Sequence, residues 1–536
     1  MLFRSKLTTN ESATLVNQED NKREISSRFL THNFDLSPLV ITEKQDIQQT
    51  QDIAIIGVAG RYPLSPDLET FWENLAQGKN CITEIPASHW DYNLYFDPEP
   101  ANTPKTYSKW GGFLADVDKF DPLFFNISPR EAQLMNPNER LFLEIVWELM
   151  ERAGYTPEKI EKQHENEVGV YVGAMYQQYQ AFAADPLQES ILSLSSYSAI
   201  ANRVSYFFDF QGPSLAIDTM CSSSLIAIQL ACDSLLKGEC QMAIAGGVNL
   251  SLHPNKYIGL SLSQMIGRQN TSKSFGQGDG YLPAEGVGAV LLKPLVSAIQ
   301  EQDSILAVIK SISTNHGGHS QGFQVPNPNR QAKLIEANFR KSGIDPRTIT
   351  YVEAAANGSS LGDPIEVNAL NKAFKKFTQE QGFCAIGSVK SNIGHAEAAS
   401  GISQLTKVIL QLQHRQLVPS INAESLNPNL SFNDSPFYLQ QKLQAWQRPV
   451  LNIQGIPQEF PRRATVSSFG AGGSNAHLII EEYIPPSSQN SLLDEPDFPP
   501  QRQLIVFSAK SRDRLQTVLQ QMKDFVRANQ EQIGRA

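Results

Sequence analysis

The chain has 536 residues, of which 41% are apolar and 19% charged, and this composition is typical of a globular protein with a sizeable core. Its formal net charge of −10 argues against a general affinity for nucleic acid. Five cysteines without a CxxC pair argue against a disulfide framework or a zinc site. The start of the chain lacks a signal peptide and no apolar run reaches the roughly 18 residues that span a membrane, so we expect a cytoplasmic protein without membrane contact.

Changes in composition predict four segments. Residues 1–50 are polar and predict a linker or tail, and residues 51–483 predict the globular body. Residues 484–502 are rich in Pro and Ser and predict a second linker. Residues 503–536 predict the start of a further α/β subdomain, because LIVFSAK has the pattern of a strand and RDRLQTVLQQMKDFVRANQ that of an amphipathic helix.

Within the body, short apolar strands alternate with helical stretches. The strand-like runs are QDIAIIGVAGRYP (51–63), VGVYVGA (168–174), MAIAGGVNLSL (242–252), GVGAVLLKPL (286–295), ILAVIKSIS (305–313), TITYVEAAA (348–356), ATVSSF (464–469) and AHLIIEEY (476–483). Continuous apolar strands separated by helices are typical of sheets that are buried on both faces. The predicted class is α/β. No short repeat is visible, although a duplication at the level of structure would escape this test.

SLAIDTMCSSSLIAIQLACDSLLKG (214–238) carries the strongest chemical signal. SLAID predicts a strand, SSSLIAIQLACDSLLK predicts a helix that a glycine ends, and Cys221 lies on the sharp turn between them. Free N–H groups and the dipole at a helix N-terminus favour a thiolate and can hold an oxyanion. This context predicts a nucleophile that forms a thioester with an acyl chain. The alternative, a buried inert cysteine, is the interpretation for Cys232, Cys240 and Cys384.

A thiolate nucleophile needs a partner that handles protons, most often a histidine. His395 has the best context of the nine histidines, in GSVKSNIGHAEAASG (387–401), where a strand is predicted to end at Lys390 and a small-residue helix to begin near Ala396. A capping histidine is the alternative. The other histidines have weaker contexts, with solvation expected for His32 and His164, a structural role for His316 and His477, and no supporting motif for His89, His253, His319 and His414.

Two further loops are suited to a site. SSFGAGGSNAH (467–477) has three glycines that let backbone N–H groups approach a ligand, although a plain turn is the alternative. No GxGxxG pattern supports a dinucleotide. EAAANGSSLGDP (353–364) follows a strand and has the small residues of an active-site loop, yet no side chain between Glu353 and Asp363 carries a proton at neutral pH.

Together these stretches resemble the ketosynthase domains of modular polyketide synthases, most of all those served by free-standing acyltransferases. The resemblance covers residues 51–483 and rests on DTMCSSSL, GGVNLSL, DGYLPAEGVGAVLLKPL, LGDPIE, KSNIGHAEAASGI and SSFGAGGSNAH, among other motifs. It implies a thiolase-like fold of αβαβα layers from two similar halves, a homodimer, and a flanking subdomain that begins in residues 503–536. The implied partners are upstream and downstream acyl carrier proteins and other polyketide synthase domains, with the substrate on a phosphopantetheine arm and no bound cofactor or metal.

The resemblance also assigns roles to residues. Cys221 matches the nucleophile, His395 the second active-site histidine and Lys390 the active-site lysine. The backbone N–H groups of Cys221 and Ala471 match the oxyanion hole. Where the family usually reads E-A-H-G-T-G-T, this chain reads EAAANGS, so Ala355 stands at the position of the first active-site histidine.

This departure predicts that acyl transfer onto Cys221 survives, whereas decarboxylative condensation with malonyl-carrier protein is impaired. In the family, two imidazoles together stabilise the enolate that condensation requires. Three alternatives stay open: condensation with a relocated hydrogen-bond donor, another reaction on the bound acyl chain, and a dimer-forming scaffold without turnover.

Overall fold

The computed structural model describes residues 52–100, 104–176, 178–183, 196–485 and 504–528. The predicted linker at 1–50 and nearly all of the one at 484–502 lie outside the described residues. No helix in the described part of the chain is both long and apolar enough to cross a membrane.

The strands are short and mostly buried. In chain order they are β1 (Ile53–Arg61), β2 (Thr83–Glu84), β3 (Trp110–Gly111), β4 (Val168–Ala174), β5 (Ser214–Ile217), β6 (Met242–Asn249), β7 (Gly286–Pro294), β8 (Ala307–His316), β9 (Tyr351–Glu353), β10 (Cys384–Gly387), β11 (Gln416–Leu417), β12 (Phe437–Leu439), β13 (Gln444–Ala445), β14 (Val450–Ile453), β15 (Ile456–Glu459), β16 (Arg463–Phe469) and β17 (Ser474–Glu481).

The α-helices connect most of these strands. They are α1 (Leu68–Ala76), α2 (Pro129–Leu134), α3 (Pro137–Arg152), α4 (Pro157–His164), α5 (Tyr197–Phe208), α6 (Ser223–Lys237), α7 (Asn255–Leu262), α8 (Leu295–Gln300), α9 (Pro328–Ser342), α10 (Gly362–Phe374), α11 (Lys390–Ile393), α12 (Ser400–His414) and α13 (Arg512–Ala528).

The main sheet contains two sets of five strands with the same order. Its 11 strands run β12-β10-β9-β16-β17-β8-β1-β7-β6-β4-β5. From its centre outward, one set reads β1, β7, β6, β4, β5 and the other reads β8, β17, β16, β9, β10. Both sets show the same antiparallel and parallel pairings. The two halves of the chain therefore repeat one structural unit, in which α6 follows β5 as α12 follows β10.

The helices lie in three layers around the two sets of strands. Side chains of α6 and α12, such as Leu225 and Ile402, share one core with residues of both sets. Helices α3 and α5 pack with the first set in a second core, and α9 and α10 pack with the second set in a third. This arrangement confirms the predicted thiolase-like fold, with αβαβα layers from two similar halves.

Gly401 lies where the central helices α6 and α12 approach each other. A Cβ atom added to Gly401 would lie 2.9 Å from both the Cβ and the backbone nitrogen of Leu225. Beside it, the backbone N–H of Ile402 donates to Oγ of Ser224 at 3.1 Å. Because Cys221 and His395 lie just before these two helices, this contact sets the spacing of the segments that carry them.

A Gly401→Ala variant is expected to lose about 1–3 kcal/mol of unfolding free energy, the usual cost of overpacking a close contact. Urea denaturation measures the loss. Gly259→Ala is the matched control, because a Cβ at Gly259 in α7 meets no atom within 4 Å. That control is expected to stay neutral or gain up to about 1 kcal/mol, since alanine favours a helix over glycine. Equal effects of the two substitutions would contradict the packing argument.

Two local predictions about secondary structure are wrong. The LIVFSAK segment forms no strand in residues 504–509, and Leu504 and Val506 are exposed, because no neighbouring strand in the described part of the chain pairs with it. The strand predicted to end at Lys390 ends at Gly387, since Lys390 begins α11. The amphipathic helix predicted in the same tail is confirmed as α13.

Candidate active site

A cavity of 370 Å³ brings together the five residues predicted for the site. Its wall includes Cys221, Ala355, Lys390, His395 and Ala471. These residues are up to 250 positions apart in the sequence, so the duplicated fold is what assembles them. Cys221, Ala355 and Ala471 lie on turns just beyond strands of the main sheet, whereas Lys390 begins α11 and His395 follows that helix.

Cys221 lies on the turn between β5 and α6, as predicted. The preceding residue, Met220, has a φ of 60°, an uncommon value outside glycine that marks the sharpness of the turn. The carbonyl of Cys221 accepts a hydrogen bond from Oγ of Ser468 at 2.8 Å, which ties the turn to β16. The half-buried side chain faces the cavity.

The acidity of the Cys221 thiol reflects opposing influences. Burial raises its pKa, whereas the charge of Lys390 and the backbone N–H groups of Ala471 and Cys221 lower it. The net direction is a raised pKa, opposite to the predicted preference for a thiolate, because burial outweighs these groups. The N–H groups of Ala471 and Cys221 are both directed at the sulfur.

The remaining cysteines named as inert are buried and lie outside the cavity. Burial raises the pKa of Cys240 to about 11 and that of Cys232 to about 12. Cys384, fully buried, has its pKa raised well above the ordinary value for the same reason. All three are therefore thiols at neutral pH.

Lys390 connects the nucleophile to the Ala355 loop. Its Nζ donates to the carbonyl oxygen of Ala355 at 2.6 Å. Burial lowers the pKa of Lys390, while Cys221 and Glu366 oppose that shift. Lys390 is thus a buried hydrogen-bond donor that also lowers the pKa of the nearby thiol.

His395 is held in one tautomer by the backbone. Its Nδ1 accepts the N–H of Glu397 at 3.1 Å, so the proton of the neutral imidazole is on Nε2. Burial lowers the pKa of His395 well below its usual value, and the charges of Lys390 and Lys256 add to this effect. His395 is therefore a neutral donor at the cavity wall.

The loop around Ala355 keeps its shape through carboxylates. Oε1 of Glu366 accepts the N–H of Ala355 at 2.8 Å. The two oxygens of Asp363 accept the N–H groups of Asn357 and Gly358, both at 3.0 Å. Burial raises the pKa of Glu366 to about 8. None of these bonds requires a side chain at position 355, so the loop is formed although an alanine stands there.

The glycine loop between β16 and β17 presents Ala471 to the cavity. The N–H of Gly473 donates to the carbonyl of Gly470 at 3.0 Å and closes the turn. The φ angles of Gly472 and Gly473 are 153° and 96°, values that side-chain-bearing residues rarely adopt. The loop lines the cavity, and the approach of its backbone N–H groups to a ligand stays a prediction.

His316 is occupied by the backbone. Its Nε2 lies 2.9 Å from the carbonyl of Gly472, and its Nδ1 accepts the N–H of Gly318 at 2.9 Å. The exposed side chain does not line the cavity, which agrees with the predicted structural role. His477 is buried and bonded to Asn338 at 2.9 Å, which agrees with predicted packing. Burial lowers its pKa to about 3.

The prediction that His164 is solvated is wrong. Its side chain is buried, with Nδ1 3.2 Å from Oε1 of Gln241 and Nε2 3.3 Å from Glu301. His32 lies outside the described residues. The rings of His253 and His414 pack against Phe182 and Trp72, away from the cavity.

His89, which had no supporting motif, forms a buried ion pair with Glu285. Its Nε2 lies 3.0 Å from Oε2 of Glu285, and both side chains are almost inaccessible. Glu285 also accepts the N–H groups of Leu114 and Ser251 at 2.9 Å. Burial alone would lower the pKa of His89, but the hydrogen-bonded carboxylate outweighs burial and raises it. The pair thus joins four segments of the chain.

The native protein is expected to lose part of its unfolding free energy as the pH rises through the pKa of folded His89. A raised folded pKa contributes stability that is complete below the unfolded pKa and disappears above the folded one. The His89→Gln variant should lose about 3–5 kcal/mol at low pH, because it leaves Glu285 unpaired. Urea denaturation at about pH 6 and about pH 8.5 should give a larger native-minus-variant difference at the lower pH. An equal or reversed difference would contradict the ion pair.

Sequence reasoning missed three groups near His395. Lys256 and Glu397 form a buried ion pair, and the hydroxyl of Tyr281 donates to Oε1 of Glu397 at 3.1 Å. Glu397 stands two positions after His395, which was the one available signal. Lys256 lies in NKYIG, where nothing in the local pattern distinguishes it from a solvated lysine. The described residues contain no cluster of three or more His, Cys, Asp or Glu suited to a metal ion.

Comparisons with known proteins agree with this geometry. The model of the beta-ketoacyl synthase N-terminal domain matches residues 50–298, that of the C-terminal domain 306–424, and that of the ketoacyl-synthetase C-terminal extension 427–534. The solved oxazolomycin ketosynthase domain OzmH KS7 of Streptomyces albus JA3453 is 45% identical, with a TM-score of 0.83 over 89% of this chain and 81% of that one. The chain belongs to the beta-ketoacyl synthase family.

Other relatives of this ketosynthase are parts of polyketide synthases. The ketosynthase from module 6 of the bacillaene synthase of Bacillus subtilis 168 is 38% identical, with a TM-score of 0.79 over 89% of this chain and 78% of that one. PksL of Bacillus subtilis is 53% identical and ThaG of Burkholderia thailandensis 48%, with 89% and 88% of this chain aligned. The ketosynthase spans only 11% and 8% of those two proteins. The predicted family, a polyketide synthase ketosynthase domain, is confirmed.

Proposed function

We propose that this ketosynthase transfers acyl chains between carrier proteins through Cys221 without extending them. An upstream acyl carrier protein would deliver the chain on its phosphopantetheine arm, and a downstream carrier protein would receive it. The domain would act as a homodimer beside other polyketide synthase domains. The observation that carries the proposal is Ala355, which lines the same cavity as Cys221 and His395 and cannot donate a hydrogen bond.

Acyl transfer uses the groups around Cys221. The thiolate would attack the thioester carbonyl, so that a bond forms between sulfur and carbon and the oxygen becomes negative. The N–H groups of Cys221 and Ala471 would hold that oxyanion. Collapse would break the bond to the arm, and the departing thiolate would take up a proton equivalent to the one that Cys221 lost. Transfer to the downstream carrier reverses these steps, so no further group is consumed.

Condensation makes a further demand on the site. Loss of CO₂ from a malonyl thioester generates an enolate, whose oxygen needs hydrogen-bond donors already in place. Removing one preorganised donor of this kind costs about 2.7–4 kcal/mol, or roughly 10²–10³ in rate. Of the described histidines, His395 alone lines the cavity, and both ring nitrogens of His316 already contact backbone groups. The described part of the cavity wall therefore offers one imidazole where condensation in the family uses two.

Intact-protein mass spectrometry tests the proposal. The protein is incubated with an acyl-carrier thioester and then with either a free holo-carrier protein or a malonyl-carrier protein. We expect the acyl mass on the ketosynthase, followed by the unchanged acyl chain on the holo-carrier. A chain two carbons longer, formed as fast as acyl transfer, would overturn the non-extending function. A different mass change would indicate another reaction, and no acylation with any thioester would favour the scaffold.

A further inference from the structure

A buried cation lies beside the cavity without a role in the proposed reaction. The side chains of Lys256 and Glu397 are 2% and 0% exposed and form an ion pair. Nζ of Lys256 also donates to the carbonyl of Leu250 at 3.3 Å and to Oγ of Ser251 at 3.2 Å. Buried ion pairs contribute little net stability, because the cost of desolvating both charges offsets their attraction. Lys256 also stands in the first turn of α7, where the helix dipole disfavours a cation.

The ion pair connects directly to the imidazole of His395. The backbone N–H of Glu397 is the donor to Nδ1 of His395. Glu397 adopts a φ of 45°, which is uncommon for this residue type, so other contacts must hold it there. Lys256 and Tyr281 supply those contacts through the carboxylate. The Tyr281 ring also packs edge-on against His395, with the ring centroids 5.1 Å apart.

We propose that Lys256 and Glu397 are positioning residues that fix His395 as a neutral imidazole with its Nε2–H available to the cavity. The ion pair holds the Glu397 backbone in its left-handed conformation, and the N–H of that residue then occupies Nδ1. The positive charge of Lys256 compensates Glu397, so the carboxylate does not draw a proton onto the ring. Neither residue needs to touch the substrate.

The charged and titratable groups near His395 come from several elements. Lys390 stands on α11, Lys256 on α7 and Cys221 before α6. Tyr281 lies on the loop before β7, and Glu397 begins a 3₁₀ turn before α12. Burial lowers the pKa of His395, and both lysines lower it further. Without Lys256, the ring would lose one repelling cation and would face an uncompensated carboxylate. Its pKa should then rise toward the neutral range.

The test follows the protonation of His395 itself. Protein labelled with ¹³C-histidine is titrated by NMR, and the His395 signal is assigned by its absence from a His395→Gln variant. In the native protein we expect no titration of this signal between about pH 5.5 and 8.5, with ring shifts of the Nε2–H tautomer. In Lys256→Gln the signal should titrate in this range, and the protonated fraction at about pH 6 should rise about tenfold or more, which is at least one pKa unit.

Two controls separate positioning from structural support. Lys293 is also buried and pairs with Glu301 and Asp303, outside the cavity. Lys293→Gln should lower the melting temperature without making His395 titrate. The double variant Lys256→Met/Glu397→Gln removes both charges and should restore a non-titrating His395, and it can replace Lys256→Gln if that variant does not fold.

A His395 signal that stays fixed in a folded Lys256→Gln variant would overturn the inference, as would a titrating signal in the double variant. The inference rests on the proposed function in one respect only, namely that the reaction uses the Nε2–H of His395 as a hydrogen-bond donor. Because the titration needs no acyl substrate, it can fail while acyl transfer is observed, and it can succeed if the domain extends its chains.

Discussion

A triple variant, Ala355→His with Ala356→Gly and Asn357→Thr, is expected to form a carbon–carbon bond from malonyl-carrier protein about 10²–10³ times faster than the native chain. That factor is the usual gain from one preorganised donor at a developing negative charge. The two accompanying changes restore the loop sequence that the family resemblance implies. Mass spectrometry of the carrier-bound product measures the rate, since extension adds two carbons.

The loop is suited to this substitution because its shape does not depend on residue 355. Glu366 and Asp363 hold its backbone N–H groups, and Lys390 holds the Ala355 carbonyl. A triple variant with Ala355→Leu in place of histidine is the control, because leucine fills similar space without a donor. Faster extension with leucine would show that the native deficit comes from pocket shape instead of the absent imidazole.

A Cys221→Ala variant is expected to lose acyl uptake entirely. No other described cysteine lines the cavity, and Cys232, Cys240 and Cys384 are buried thiols with raised pKa values. Intact-protein mass spectrometry after incubation with an acyl-carrier thioester should show no added mass.

Cys232→Ala is the matched control. Cys232 lies in α6, the helix that follows the Cys221 turn, and its side chain faces the core. That variant should acylate at the native rate. Persistent acylation of the Cys221→Ala variant would rule out a thioester on Cys221, and with it the proposed acyl transfer between carrier proteins.

The sequence was informative where local pattern and chemistry coincide. The strand, turn and helix around Cys221 were predicted because apolar runs, a serine-rich start and a terminal glycine all act locally. The absent imidazole at Ala355 was also visible, since the rest of the loop keeps its characteristic residues. These features need no knowledge of distant contacts.

Features that depend on distant contacts were not predictable. Lys256 and His164 look like solvated residues, yet each is buried by a partner far away in the chain. The thiol of Cys221 was expected to have a low pKa because of the helix that follows it, but burial by the surrounding protein raises that pKa. LIVFSAK has a strand composition, and a strand forms only where a neighbour offers hydrogen bonds.

The duplicated order of strands has a consequence for how such a chain can change its chemistry over time. Cys221 precedes α6 in the first copy, and His395 precedes the corresponding helix α12 in the second. Ala355, after β9, also belongs to the second copy. Because the nucleophile and position 355 belong to different copies, a substitution in the loop after β9 changes the second copy and leaves the turn that carries Cys221 as it was.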